Sequence, residues 1–274
     1  ATVTGTGLSP STFSYSPHIN WSGSDSFVVK VDDGTMSDSI TINLTVEPIN
    51  DFPLIAQGAS VSVVMSEDSL PVAWAAPGLS ASDPEGEVLT WSLSRQASNG
   101  LALVSGTGIS PFELYYEPNS NFVGLDSFDI LVSDGNATST VTVQVNVGNV
   151  NDAPVIAQGE SVSLTMSEDG VPVQWASPVL IATDSDPSDV LAWGVVSAAL
   201  HGVAEMSGTG ATPNVFVYTP DPNWSGSDVF TVEVSDGTAS ASIAINVTVE
   251  SVNDAPAITQ GTSVSVGMSE DSVP

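Results

Sequence analysis

Apolar and polar residues alternate one for one along "TVTVQVNV" (140–147) and nearly so along "SFDILVSD" (127–134), with β-branched side chains dominating the apolar positions. A period of two places successive side chains on opposite faces of an extended chain, so both stretches predict half-buried β-strands. The same reasoning predicts strands at 60–66, 70–75, 88–94, 100–104, 112–116, 126–133 and 138–147. Gly, Pro, Asn, Asp and Ser fill the intervals between them, and no sustained 3.6-residue pattern predicts a helix.

The pattern repeats. "IAQGASVSVVMSEDSLPVAW" at 55–74 returns as "IAQGESVSLTMSEDGVPVQW" at 156–175 and as "ITQGTSVSVGMSEDSVP" at 258–274. "NWSGSDSFVVKVDDG" at 20–34 returns at 121–135 and at 223–237. The step from residues 54–152 to residues 155–254 is 101 as far as Asp184 and 102 from Trp193 onward. The added residue therefore falls in the acidic stretch "DSDPSDVLA", as expected of a surface loop. These matches predict complete repeats at 54–152 and 155–254, the back part of a repeat at 1–50 and the front part of another at 256–274. The chain reads as a window on a longer array.

Seven strands in about a hundred residues predict an all-β fold, with the immunoglobulin-like β-sandwich as first reading and a small barrel as its competitor. Trp74, Trp91, Trp175 and Trp193 are the candidate core aromatics. With no cysteine, the core lacks an inter-sheet disulfide and the chain lacks thiolate metal sites.

Charge narrows the partners. The chain carries 32 acidic residues against Lys30 and Arg95, a formal net charge of −30. Nucleic acid and anionic membrane surfaces both require positive charge on a protein, so neither is an expected partner. No apolar stretch has the length of a membrane span. Cations are the expected small partners.

Strand order places the acids. If the first strand of a repeat runs down, loops after even strands lie at the top with the N-terminus, and loops after odd strands at the bottom. The "SED" turn (Glu67, Asp68), Asp126 and the linker residues Asn151 and Asp152 fall at the bottom of the repeat 54–152. Asp83, Glu85, Glu87 and Asp134 fall at its top. In the next repeat, Asp184, Asp186, Asp189 and Asp236 fall at the top, facing the linker. By repeat equivalence the linker at 50–54 would draw on Asp25, Asn50 and Asp51 with Asp83, Glu85 and Asp134. Glu168, Asp228 and Asp254 take the corresponding places at the C-terminal linker. Many hard oxygen ligands, without histidine or cysteine, predict Ca²⁺, which takes six to eight oxygens. The competing reading of "SDG" and of the linker Asp is simple turn formation.

The motifs "VNDAP", "SED", "DSDPSD" and "YTPDPNWSGSDVFTVEVSDG" together resemble the bacterial cadherin-like tandem repeats of large surface and secreted proteins. The resemblance implies calcium-stiffened β-sandwiches in a linear array, serving as spacers or fibre bodies in adhesins and biofilm proteins. It implies ligand roles for Glu67 and Glu168 early in the domain, for Asp152 and Asp254 in the linkers, and for Asp184 with Asp186 as the D-x-D loop. The partners implied are calcium, neighbouring repeats, other copies in a fibre and a surface ligand. The chain departs from the pattern where "DPEGE" replaces "DSDPSD", which predicts fewer or weaker ions at 50–54.

Other signals are weaker. His18 and His201 have no counterparts across the repeats, "SGTG" (105–108, 207–210) lacks the helix and lysine of a phosphate loop, and sequons at Asn20, Asn43, Asn136, Asn223 and Asn246 are common in Ser/Thr-rich text. Acids recurring at equivalent places argue against a single active site, and no catalysis is expected. A glycan- or protein-binding module, and an accessory domain beside an enzyme, remain the alternatives.

Overall fold

The computed structural model describes residues 1–259, 261–268 and 270. The third "SED" turn and the end of the partial repeat 256–274 therefore lie partly outside the described residues. The chain divides into two compact units, residues 1–150 and 151–274. Every regular element among the described residues is a strand.

In the first unit the strands are β1 (Thr2–Thr4), β2 (Thr12–Ser14), β3 (Gly23–Asp32), β4 (Ser37–Val46), β5 (Leu54–Ile55), β6 (Ser60–Ser66), β7 (Ala81–Ser82), β8 (Thr90–Arg95), β9 (Gly100–Thr107), β10 (Glu113–Pro118), β11 (Gly124–Ser133) and β12 (Thr138–Gly148). The second unit contains β13 (Val155–Ile156), β14 (Ser161–Ser167), β15 (Ala182–Thr183), β16 (Ala192–Ser197), β17 (Gly202–Thr209), β18 (Val215–Pro220), β19 (Gly226–Ser235) and β20 (Ser240–Glu250).

The first unit holds a six-stranded sheet in the order β10-β9-β8-β11-β12-β6, and the second holds β18-β17-β16-β19-β20-β14. The short pairs β5–β7 and β13–β15 are separate. All pairings are antiparallel except β12–β6 and β20–β14, which are parallel. Parallel pairing follows from the odd count, since the first and seventh passes along a repeat run the same way.

Two layers arise because β9 changes neighbours along its length. Residues 105–107 pair with β8, whereas 100–105 pair with β10, so the β9–β10 hairpin turns over the face of β11. The Tyr116 ring of β10 consequently stacks on Phe128 of β11 at 5.8 Å, although two strands separate them in the sheet. Tyr218 and Phe230 repeat the contact at 5.5 Å. Between the layers lie Met65, Trp91, Ile130, Val132 and the alternate valines 141, 143, 145 and 147, all buried. The predicted alternation is thus the inward face of a sandwich, and the barrel reading gives way to it.

Trp91 and Trp193 are buried as expected, and their indole N–H groups donate to the carbonyls of Gly108 and Gly210 at 2.9 and 3.0 Å. That contact gives "SGTG" its role, closing β9 and β17 over the tryptophan. Trp74 and Trp175 are half-buried against the two cores. Their segment departs from expectation, because 70–75 forms no strand. Pro71 has no N–H to donate to a ladder. Val72 instead exchanges hydrogen bonds with Ser66, at 2.8 and 3.3 Å.

Gly100 is required by packing. A methyl group there would lie 2.5 Å from the Glu117 carbonyl oxygen and 2.6 Å from the Tyr116 ring. Neither can yield, because the first is ladder backbone and the second is the core aromatic. Gly100→Ala should destabilise the first unit by about 2 kcal/mol, the usual cost of overpacking, read as an earlier urea midpoint. An unchanged midpoint would mean that the hairpin is not fixed over the core.

Candidate metal centre

In the first unit the linker after β4 is bound to the top of the repeat that follows it. The Asn50 side-chain amide donates to the Asp134 carboxylate at 2.9 Å and to the Asp51 carbonyl at 2.8 Å. Asn136 donates back to the Asn50 Oδ1 at 3.1 Å, and the Asp51 N–H donates to Glu85 Oε2 at 3.1 Å. Asp134 also caps its own turn by accepting from the Asn136 and Ala137 N–H groups, both at 2.6 Å. Its pKa is lowered chiefly by the Ala137 N–H, with Asn50 contributing.

Beside this linker, Asp83, Glu85 and Glu87 bring carboxylate oxygens within 4.8 Å of one another. Asp83 Oδ1 accepts from the N–H groups of Glu85, Gly86 and Glu87 at 3.0, 3.2 and 3.4 Å, which shapes the loop. Its second oxygen and Glu87 Oε2 are buried without a hydrogen-bond partner. Glu87 holds its proton above the usual carboxylate range, first through loss of water and then through the adjacent Asp83, with Asp134 and Glu85 adding repulsion.

The second unit repeats the arrangement. Asn151 donates to Asp236 Oδ2 at 3.0 Å and to the Asp152 carbonyl at 2.8 Å, and the Asp152 N–H donates to Asp186 Oδ2 at 2.8 Å. Asp184, Asp186 and Asp189 again hold oxygens within 4.8 Å. Asp186 is buried, and the Asp184 Oδ2 is enclosed without a partner. Asp189 is shifted upward by desolvation and then by Asp186, Asp184 and Asp236. Three carboxylates this close repel by about 1–4 kcal/mol per pair at 4 Å, and no lysine or arginine answers them among the described residues. The donor set suits a hard cation. Oxygen ligands only, several of them enclosed and unpartnered, fit Ca²⁺.

At the opposite ends the "SED" glutamates hold the outgoing chain. The Glu67 N–H donates to the Gly148 carbonyl at 3.1 Å, and Glu67 Oε1 accepts from the Val150 N–H at 2.9 Å. Glu168 does the same with Glu250 and Val252, at 3.0 and 2.7 Å. Asp68 and Asp254 are exposed.

Asp126, Asp228 and Asp25, expected as ligands, are engaged otherwise. Asp126 accepts four hydrogen bonds, from the N–H groups of Ser98, Asn99 and Ser127 at 3.0, 2.9 and 2.8 Å and from the Tyr116 hydroxyl at 2.9 Å. Asp228 accepts from Leu200, His201, Val229 and Tyr218 at 2.9–3.0 Å. Asp25 accepts from Tyr15 and Ser26 at 2.7 Å. These donors account for the carboxylates; Asp126 and Asp228 are buried and brace their sandwiches internally, whereas Asp25 is exposed on the β3–β4 pair. A signal was present in the sequence, since each of the three acids follows a tyrosine by ten residues.

No helix among the described residues is long and apolar enough to cross a membrane. The chain is 28% identical over 157 residues to integrin beta-like protein A of Dictyostelium discoideum, covering 52% of this chain but only 8% of that protein. Its fold is similar to extracellular cadherin domains 1–5 of protocadherin gamma B2, with a TM-score of 0.53 at 16% identity over 84% of this chain and 46% of the other. The EC1-3 segment of mouse protocadherin-24 gives 0.50 at 16% identity over 90% of this chain and 86% of the other. The sequence profile of the family described as bacterial Ig domain matches twice in tandem, at residues 50–146 and 151–249. With tandem matches over well more than half of its length, the chain belongs to the bacterial Ig domain family.

Proposed function

We propose that this chain is a structural segment of a large extracellular bacterial protein, a spacer or fibre body in surface adhesion or biofilm, stiffened by calcium at its linkers. The observation that carries the reading is the set of enclosed, unpartnered carboxylate oxygens on Asp83, Glu87 and Asp184, beside linkers already bound to the same loops. An enclosed acceptor without a donor is costly, and a hard divalent cation meets that need. Asp83, Glu85 and Glu87, with Asp51 and Asp134, would hold the ion in the first unit. Asp184, Asp186 and Asp189, with Asp152 and Asp236, would hold it in the second. Glu67, Asp68, Glu168 and Asp254 are the remaining candidates, each on the outgoing end of a repeat. Bound calcium supplies the positive charge that relieves the repulsion among them. The segment has no catalytic role in this reading, because its acids serve in duplicate at equivalent places.

Calorimetric titration tests this. Calcium should bind saturably, and Asp184→Asn with Asp186→Asn should remove the second unit's share while leaving the first unit's. Absence of saturable binding by the wild-type chain would overturn the reading.

A further inference from the structure

The linker at 148–152 is tied twice, once within each compact unit, and the two ties meet at one peptide bond. Upstream, Glu67 clamps the outgoing chain through its own N–H to Gly148 and its carboxylate on the Val150 N–H. Downstream, the Asn151 side chain is bound to Asp236 and the Asp152 N–H to Asp186. The last residue held by the upstream domain is thus Val150 and the first held by the downstream domain is Asn151. The boundary between the two compact units falls on the same link.

The clamps form independently. At 50–51 the downstream clamp recurs on Asn50 and Asp51, with Asp134 and Glu85 of the following repeat as its acceptors. At 250–254 the upstream clamp is complete between Glu168 and Val252, while the Asn253 amide reaches the Asp254 carbonyl at 3.2 Å. At 148–152 each clamp is made within one unit, Glu67 with Gly148 and Val150 in the first and Asn151 and Asp152 with Asp236 and Asp186 in the second.

We infer that, in the absence of cation, motion at this linker is confined to the Val150–Asn151 link, with ψ of Val150 and φ of Asn151 as the hinge and the residues on either side immobile. "VNDAP" is then two anchors with a single swivel between them, the Val150 N–H on one side and the Asn151 amide with the Asp152 N–H on the other. Hinges of this kind are a few residues that absorb the torsional change. Glu67 and Asn151 are positioning residues, and the glutamate acts here as a hydrogen-bond acceptor, so its charge is dispensable.

The test uses the full 274-residue chain in chelator, so that it does not depend on calcium binding. The chain has no cysteine, so Ser110→Cys and Ser227→Cys can carry spin labels for a distance distribution, while amide exchange reports the clamps. Glu67→Ala should speed exchange at Val150 by about tenfold, the effect of losing one hydrogen bond, and leave Asp152 unchanged. Glu67→Gln keeps an acceptor and should match wild type. Glu67→Ala and Asn151→Ala should each widen the distance distribution, whereas Glu67→Gln should not. Asn151 is exposed, so its variant folds whatever becomes of Glu67→Ala. The inference is overturned if Val150 and Asp152 exchange like unprotected chain in wild type, or if Asn151→Ala leaves the distribution as narrow as before.

Discussion

Asp126→Ala should unfold the first unit well before the second, lowering its melting temperature by more than about ten degrees. The side chain is buried and accepts three backbone N–H groups and the Tyr116 hydroxyl. Alanine would strand all four donors. Each enclosed unsatisfied donor costs about 1–3 kcal/mol, and water entering the gap recovers part of it, which leaves a net loss of about 3–5 kcal/mol. Since a domain of this size is stable by only about 5–15 kcal/mol, and each kcal/mol moves the melting point by about 4–8 °C, the transition should separate clearly. Asp228→Ala should do the same to the second unit. The pH dependence carries the same signature. Burial pushes Asp126 up, but the Asn99, Ser98 and Ser127 N–H groups and Tyr116 together outweigh it, so its folded pKa lies below the ordinary value. A depressed carboxylate contributes its stability fully above the unfolded value of about 3.9 and loses it as pH falls through the folded one. Acid unfolding should therefore begin below about pH 4, and Asp126→Ala should flatten it. A variant melting within two degrees of wild type would contradict the bracing role.

Calcium should raise the stability of both units, and of the second at least as much as the first, since "DPEGE" stands in the first where "DSDPSD" stands in the second. A ligand that binds only the folded state at a hundredfold excess over its Kd stabilises by about 2.7 kcal/mol. Relief of repulsion among Asp184, Asp186 and Asp189 is the source in the second unit, where Asp189 is shifted upward first by loss of water and then by its acidic neighbours. Chelator should reverse the gain. Asp184→Asn with Asp186→Asn should abolish it for the second unit alone, without lowering that unit's stability in chelator, because removing like charges relieves the metal-free loop.

Much of this was legible in the sequence, and the gaps have physical causes. Period-two alternation gave 60–66 to the residue and the long strands β11 and β12 within two residues, because one face of each is core. The same alternation in "LPVAW" forms no ladder, since Pro71 cannot donate and, with Leu70 and Val72 exposed, Trp74 alone packs against the core. Chain order sufficed to bring Asp83, Glu85 and Asp134 to the linker at Asn50, and Asp184, Asp186 and Asp236 to Asn151. Order does not reveal what each carboxylate accepts: Asp126 and Asp228, which it places among the ligand candidates, take backbone and tyrosine donors. Nor could it reveal that the linker asparagine is a side-chain donor, a fact of geometry at the "SDG" turn.

Small-angle scattering of the full chain, in saturating calcium and again in chelator, tests the central claim most directly. Loss of the ion should let the linkers bend, so the wild-type chain should show the larger maximum dimension in calcium and a smaller mean size with a broadened profile in chelator. Asp184→Asn with Asp186→Asn should resemble the chelated chain under both conditions. Superimposable profiles of the wild-type chain in calcium and in chelator would contradict the account.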